Sequence, residues 1–107
     1  KKIFENYNNR LLHVHCKDIR KNVLEKSLKE DLSFREAFLE GAFTVPGDGC
    51  IDYKPLFDIL KKNSYSGWLV VEAEQDPKKA NPLEYAKKGY KYLNDTLKKS
   101  DIDMDKN

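Results

Sequence analysis

The chain has 107 residues, enough for one small domain. Its formal net charge is only +2, and Lys and Arg are interleaved with Asp and Glu, which gives no argument for a nucleic-acid or membrane-surface partner, and none is expected. No apolar run approaches the roughly 20 residues of a spanning helix. The cysteines, Cys16 and Cys50, form no CxxC pair, which fits a reducing cytoplasm and not a disulfide scaffold.

Along the chain, Ile3, Phe4 and Tyr7 recur at helical spacing and read as the end of a helix. LLHVHCKD follows as a strand over about 11–16. Side chains alternate across a strand, so Leu12, Val14 and Cys16 share an apolar face, and Leu11, His13, His15 and Lys17 share the other. A short helix is expected between Arg20 and Glu30, with Val23, Leu24 and Leu28 on its apolar side. Ser33 opens a capping box with Glu36, and the helix it starts runs through Phe34, Ala37 and Phe38 to Gly41. FTVPGDGCID is a turn-rich loop in which Gly47 and Gly49 permit positive φ. It lacks the GK[ST] ending of a phosphate-binding P-loop. Asp52 caps the next helix, with Pro55 in its first turn and Leu56, Ile59 and Leu60 on its buried stripe.

WLVVEAE then reads as a second strand over 68–73. Leu69, Val71 and Ala73 point one way; Trp68, Val70, Glu72 and Glu74 point the other. Trp68 and Tyr65 are expected in the core. Asn81 caps the last helix, Pro82 takes its first position, Glu84 completes a box-like pair, and Leu83, Ala86, Tyr90, Leu93 and Leu97 mark its apolar stripe. From Ser100 the chain turns polar. The division is thus residues 1–99 as one α/β unit and 100–107 as a disordered tail. Two parallel strands with helical crossovers leave open edges, so the pattern is expected to be part of a larger α/β protein.

Both strands turn polar at their C-terminal ends, which is where ligands bind in parallel barrels and open α/β sheets. His15 and Glu72 end their strands on that polar face. An imidazole and a carboxylate suit a divalent ion such as Mn²⁺, Co²⁺, Zn²⁺ or Fe²⁺. The other reading of the pair is a buried histidine and a salt-bridged glutamate. His13 lies one pleat deeper, either as a chelating partner in HxH or as an interior histidine. Lys17 either stabilises negative charge on a substrate oxygen or pairs with Glu72 or Glu74. Glu74 is a substrate contact, a supporting group, or Lys17's partner. Asp18 and Arg20 fall in the following loop. There is no GxSxG or HExxH.

HVHCKDIR, SFREAFLEGAFTVPGDGCIDYKPLFDIL and SYSGWLVVEAEQDPKKANPLEYAKKGYKYL together resemble the C-terminal third of the myo-inosose-2 dehydratase family, from about Leu11 to Leu93. TVPGDG and VVEAEQDP carry the likeness most specifically. The family is similar to sugar epimerases and apurinic endonucleases among the xylose-isomerase-like (β/α)8 TIM barrels. The resemblance implies a barrel incomplete in this chain, holding the last two strands and their helices. It implies His15 and Glu72 as metal ligands, with two further, acidic ligands on earlier strands. It offers Lys17 or Arg20 as a basic substrate contact; with the residue reading, Lys17 and Glu74 are expected as catalytic groups, His13 and Arg20 as substrate contacts, and the general base outside this chain.

The implied activity is a hydro-lyase of myo-inositol catabolism that dehydrates 2-keto-myo-inositol to a trihydroxycyclohexane-dione. The expected partner is a cyclitol, with a homo-oligomer as an open option. Mn²⁺ or Co²⁺ and glutathione are implied as cofactors, the latter by resemblance only. Two alternatives stand beside it: a sugar isomerase or epimerase of the same barrel superfamily, and a non-catalytic structural piece. This stretch by itself is expected to be inactive.

Overall fold

The computed structural model describes residues 1–104. Helix α1 (Lys2–Asn6) and a 3-10 turn at Asn8–Arg10 lead into strand β1 (His13–Cys16). Strand β2 (Asp18–Ile19), helix α2 (Lys21–Lys29), helix α3 (Phe34–Leu39) and strand β3 (Phe43–Thr44) follow. Helix α4 (Lys54–Lys62), strand β4 (Trp68–Val71) and helix α5 (Pro82–Lys99) complete the chain. β1 and β4 pair in parallel, with His13 opposite Trp68 and His15 opposite Val70. β2 and β3 form a separate antiparallel ribbon, Asp18 opposite Thr44. Among the described residues the barrel is therefore incomplete, with two of its strands side by side.

The helix ends form where local chemistry directs them. Ser33 Oγ accepts from Glu36 N at 3.2 Å, and Glu36 Oε2 accepts from Ser33 N at 2.7 Å, a reciprocal capping box. Asn81 Oδ1 accepts from Leu83 N and Glu84 N, and Pro82 follows in the first turn. Asp52, expected to cap α4, lies one residue before its N-cap Tyr53, and its Oδ1 accepts from Lys54 N at 3.1 Å. Gly41, with φ +81°, turns the chain out of α3.

The core lies under the back of the β1–β4 pair. Cys16, Tyr53, Phe57, Leu60, Leu93 and Leu97 form its buried centre, and Val14, Leu69 and Val71 pack on it from the strands. Removing a large side chain such as Phe57 or Leu97 from water contributes about 1.5–3 kcal/mol each.

The structure departs from the sequence reading at several points. β1 starts at His13, so the alternation does not reach back to Leu11 and Leu12; Leu11 packs on the core and Leu12 is 77% exposed. Phe57, not named for the α4 stripe, is its most buried residue. In α5 the buried face runs through Gly89, Leu93, Thr96 and Leu97, while Leu83 and Tyr90 face outward. Gly89 decides this, because a Cβ there would stand 2.8 Å from Val71 Cγ1; α5 lies too close to β4 for a larger residue. Trp68 is 70% exposed, on the face that carries His13 and His15, with no described strand beyond it. The 43–44 segment is a strand and not only loop.

The tail expected from Ser100 is placed as far as Met104. Ser100 Oγ donates to Asp58 Oδ1 at 2.8 Å, and Ile102 and Met104 pack on the core. Residues 105–107, also assigned to that tail, lie outside the described residues. Among the described residues no helix is long and apolar enough to cross a membrane.

Gly47 and Gly49 serve different needs. Gly47 adopts φ +90°, and a Cβ there would stand 2.6 Å from the Tyr92 ring. Gly49 lies outside the positive-φ region, yet its Cβ would stand 2.3 Å from Asp18 Oδ1. Gly47→Ala is accordingly expected to lower the unfolding free energy by at least about 1 kcal/mol. Urea denaturation monitored by circular dichroism checks it; an unchanged midpoint would show that the loop relaxes freely.

Candidate metal and substrate site

Parallel pairing brings the two strand ends together. Glu72 N donates to Cys16 O at 2.9 Å, one step beyond the end of β4, so the ladder carries Glu72 to the rim beside His15. Both residues are on the same face, as their alternation predicts. His15 Nδ1 lies 3.1 Å from Glu72 Oε2. Lys17 Nζ lies 3.8 Å from Glu72 Oε1 and 3.8 Å from Glu74 Oε1, between the two carboxylates. It also stands 5.8 Å from the centre of the Phe43 ring, within the range of a cation–π contact. His13 meets His15 edge-on, ring centroids 5.6 Å apart, one pleat deeper on the same face.

The site is open to water. The His15 side chain is 59% exposed and that of Glu72 29%, so these ion pairs are screened and add little to stability. Their effect is on protonation. The hydrogen bond from His15 holds the Glu72 carboxyl below its ordinary value; partial desolvation opposes this, and the charge of Lys17 adds to it. Cys16, directly behind the site, is pushed up to about 11 by burial, which keeps it a thiol and removes it as a nucleophile or thiolate ligand.

Among the described residues no group of three or more His, Cys, Asp or Glu side chains converges as a metal site. His15 and Glu72 do fit a shared ion. Neighbouring ligands bonded at about 2.0–2.2 Å stand about 3 Å apart, and the two donors are 3.1 Å apart.

Arg20 stands apart from this group. Its Nη1 donates to Gly41 O at 2.6 Å and Phe43 O at 3.3 Å, and its Nη2 to Thr44 Oγ1 and Asp48 Oδ2. Expected to contact substrate, it clamps the loop after α3. Thr44, Asp48, Gln75 and Lys88, which the sequence reading passed over, complete that clamp. TVPGDG and VVEAEQDP flagged the region, as a turn and as the motifs of the resemblance, without naming these contacts.

His15→Ala removes the largest cause of the Glu72 shift and is expected to return that carboxyl toward the ordinary glutamate value; Lys17→Met does so to a lesser degree. Carboxyl-carbon NMR titration reads both. Since the folded value lies below the unfolded one, the Glu72 contribution to stability is present above the unfolded value. It is lost as pH falls through the folded value. A Glu72 titration that is the same in His15→Ala would mean the pair does not form.

Comparison with known proteins agrees with this geometry. The profile of the xylose isomerase-like TIM barrel family matches residues 2–96. An inosose dehydratase of Clostridium beijerinckii is 60% identical over 91 residues, which is 85% of this chain and 30% of that protein. An inosose dehydratase of Glaesserella parasuis is 58% identical over the same share of each chain. One from Lacticaseibacillus casei is 50% identical over 95 residues, 89% of this chain and 32% of its own length. The chain therefore spans about 30% of the length of the curated relatives it matches. With two adjacent parallel strands, covering helices and polar residues at the strands' C-terminal ends, the chain belongs to the xylose isomerase-like TIM barrel family.

Proposed function

We propose that this chain is the C-terminal part of an inosose dehydratase, and that it supplies His15 and Glu72 to the enzyme's divalent metal. The observation that carries the reading is the 3.1 Å separation of the two donors at the ends of adjacent strands. The similarity to inosose dehydratases supports the reaction we infer: loss of water from 2-keto-myo-inositol, a hydro-lyase step of myo-inositol catabolism.

In that reaction the carbon beside the ketone loses a proton and the neighbouring carbon loses its hydroxyl as water. When bound, Mn²⁺ or Co²⁺ supplies Lewis-acid polarisation of the substrate oxygens, which acidifies that C–H. The chain's own residues do the rest locally. The ammonium of Lys17 stabilises the negative charge that develops on the enolate oxygen. Glu74 keeps that ammonium placed from its other side. His13, deeper on the same face, contacts a ring hydroxyl. The general base that takes the proton comes from elsewhere in the barrel. Arg20 orders the loop that rims the site. Glutathione enters through the resemblance alone, and assays with and without it test its place.

The test uses a protein that carries this segment in the full barrel, assayed on 2-keto-myo-inositol with metal content measured beside the rate. Glu72→Gln is expected to lower metal affinity at least about 100-fold, with turnover falling in step, since a neutral amide is a poorer ligand for a hard cation. Glu74→Gln leaves metal affinity within about threefold. Lys17→Met lowers turnover by about 10²–10³-fold with metal retained. Full metal and full rate in Glu72→Gln would overturn the ligand assignment. Turnover of a ketose or aldose in place of the cyclitol would make the protein an isomerase or epimerase.

A further inference from the structure

Thr44 is fully buried, and its hydroxyl uses every hydrogen-bonding position it has. It accepts from Arg20 Nη2 at 3.2 Å and from Gln75 Nε2 at 3.3 Å, and it donates to Asp48 Oδ2 at 2.6 Å. A hydroxyl offers one donor and two acceptor sites, so all three are engaged. The partners come from three separate stretches. Arg20 follows β2, just beyond the strand that carries His15. Asp48 lies in the turn of the loop. Gln75 lies three residues past Glu72. Arg20 Nη2 also reaches Asp48 Oδ2 at 3.0 Å, which closes the triangle. Lys88 Nζ reaches Asp48 Oδ1 at 2.6 Å and ties α5 to the same node.

β4 stops at Val71, and Ala73 beyond it is exposed. Past the Glu72 amide, two polar contacts return the segment to the body of the chain before Asp76: the 3.8 Å ion pair of Glu74 with Lys17 and the hydrogen bond from Gln75 to Thr44. On the other side, Thr44 pairs with Asp18, next to Lys17. One buried hydroxyl therefore touches both arms of the site.

We propose that Thr44 is a positioning residue for the His15–Glu72 pair, its hydroxyl fixing the segment after β4 to the segment after β2. This rests on the reading of that pair as the metal-bearing part of the site. Buried polar nodes of this kind are either fully satisfied and rigid or costly, because each lost partner leaves the others desolvated and unpaired. Valine has the shape of threonine without the hydroxyl, so it breaks the node and keeps the packing.

Amide hydrogen exchange followed by NMR on this chain tests the role without metal or substrate. Thr44→Val is expected to raise exchange at the Glu72 amide about tenfold, with the α5 amides of Leu93 and Leu97 changing less than about twofold. Thr44→Ser keeps the hydroxyl and is expected to stay within about twofold of the parent at all three. Gln75→Met removes only the amide donor, from a partly exposed position, and carries the test if Thr44→Val does not fold. It should reproduce the change at Glu72, and the double variant should exceed Thr44→Val by less than about twofold, since both act through one hydroxyl. Equal changes at Glu72, Leu93 and Leu97 would make Thr44 a general stabiliser of the fold and overturn the proposal. So would an unchanged Glu72 amide in Gln75→Met. The two readings fail separately: exchange does not depend on metal, and metal content does not report on the Glu72 amide.

Discussion

The parallel pairing of β1 with β4 is the constraint on which the rest depends. Parallel neighbours need a long crossover, and residues 17–67 provide it as a ribbon, three helices and a loop. The register sets which side chains share a face. His15 stands opposite Val70, and the bond from Glu72 N to Cys16 O places the glutamate one step further along. A slip of one residue in β4 would turn Val71 toward the site and Glu72 toward the core, and a slip in β1 would do the same with Cys16 and His15. The core resists that slip, because Cys16, Leu69 and Val71 already fill the space above Leu93 and Leu97. Packing on the back of the sheet thereby holds a polar pair in register on its front.

Polar contacts set the shape of the crossover where apolar ones do not reach. Asp18 is buried, and its Oδ1 accepts from Ile19 N at 2.7 Å and Ile51 N at 3.0 Å, so it joins the ribbon to the far side of the loop. Its Oδ2 has no partner among the described residues. Two backbone donors on one oxygen offset part of the cost of burying the carboxylate. The loop must then pass within contact of that side chain, and Gly49 allows it. Asp48 lies a residue before. Burial would raise its carboxyl, but hydrogen bonds from Lys88 and Thr44, with the charges of Lys88 and Arg20, hold it below the ordinary value. It stays ionised, as a clamp between two cations must.

What could be read from the sequence was local or periodic. The capping box at Ser33 and the one-sided cap at Asn81, where Glu84 does not return the bond expected of it, needed only residues within four positions of one another. The parity of His15 and Glu72 followed from strand alternation, and the resemblance pointed to the barrel. What escaped reading depended on partners far along the chain. The first half of α5 carries Leu83, Ala86 and Tyr90 on one stripe and Tyr85, Gly89 and Tyr92 on another, and periodicity does not choose between them. The close approach of β4 at Gly89 does. Tryptophan reads as core by type, but Trp68 projects from the face that has no described neighbour. Ile102 and Met104 sit in a polar stretch, yet they reach the core once α5 has carried them back over α4. Thr44 stood inside the TVPGDG motif but gave no sign of its role, since a threonine before a turn is ordinary and its three partners span residues 20–75.

The arrangement of Lys17 also bears on why the site carries two carboxylates. His15, Lys17 and Glu72 make a balanced group without any ion: the imidazole bonds one oxygen of Glu72 and the ammonium faces the other. An ion bound by His15 and Glu72 would displace the first contact and set two positive charges near each other. Repulsion of that kind weakens metal binding unless the ammonium has another partner. Glu74, at the same 3.8 Å from Lys17, is that partner. On the proposed reading, Glu72 is free to serve as a ligand because Glu74 holds Lys17. Lys17 would then stand beside such an ion, where an oxygen that develops negative charge would meet both.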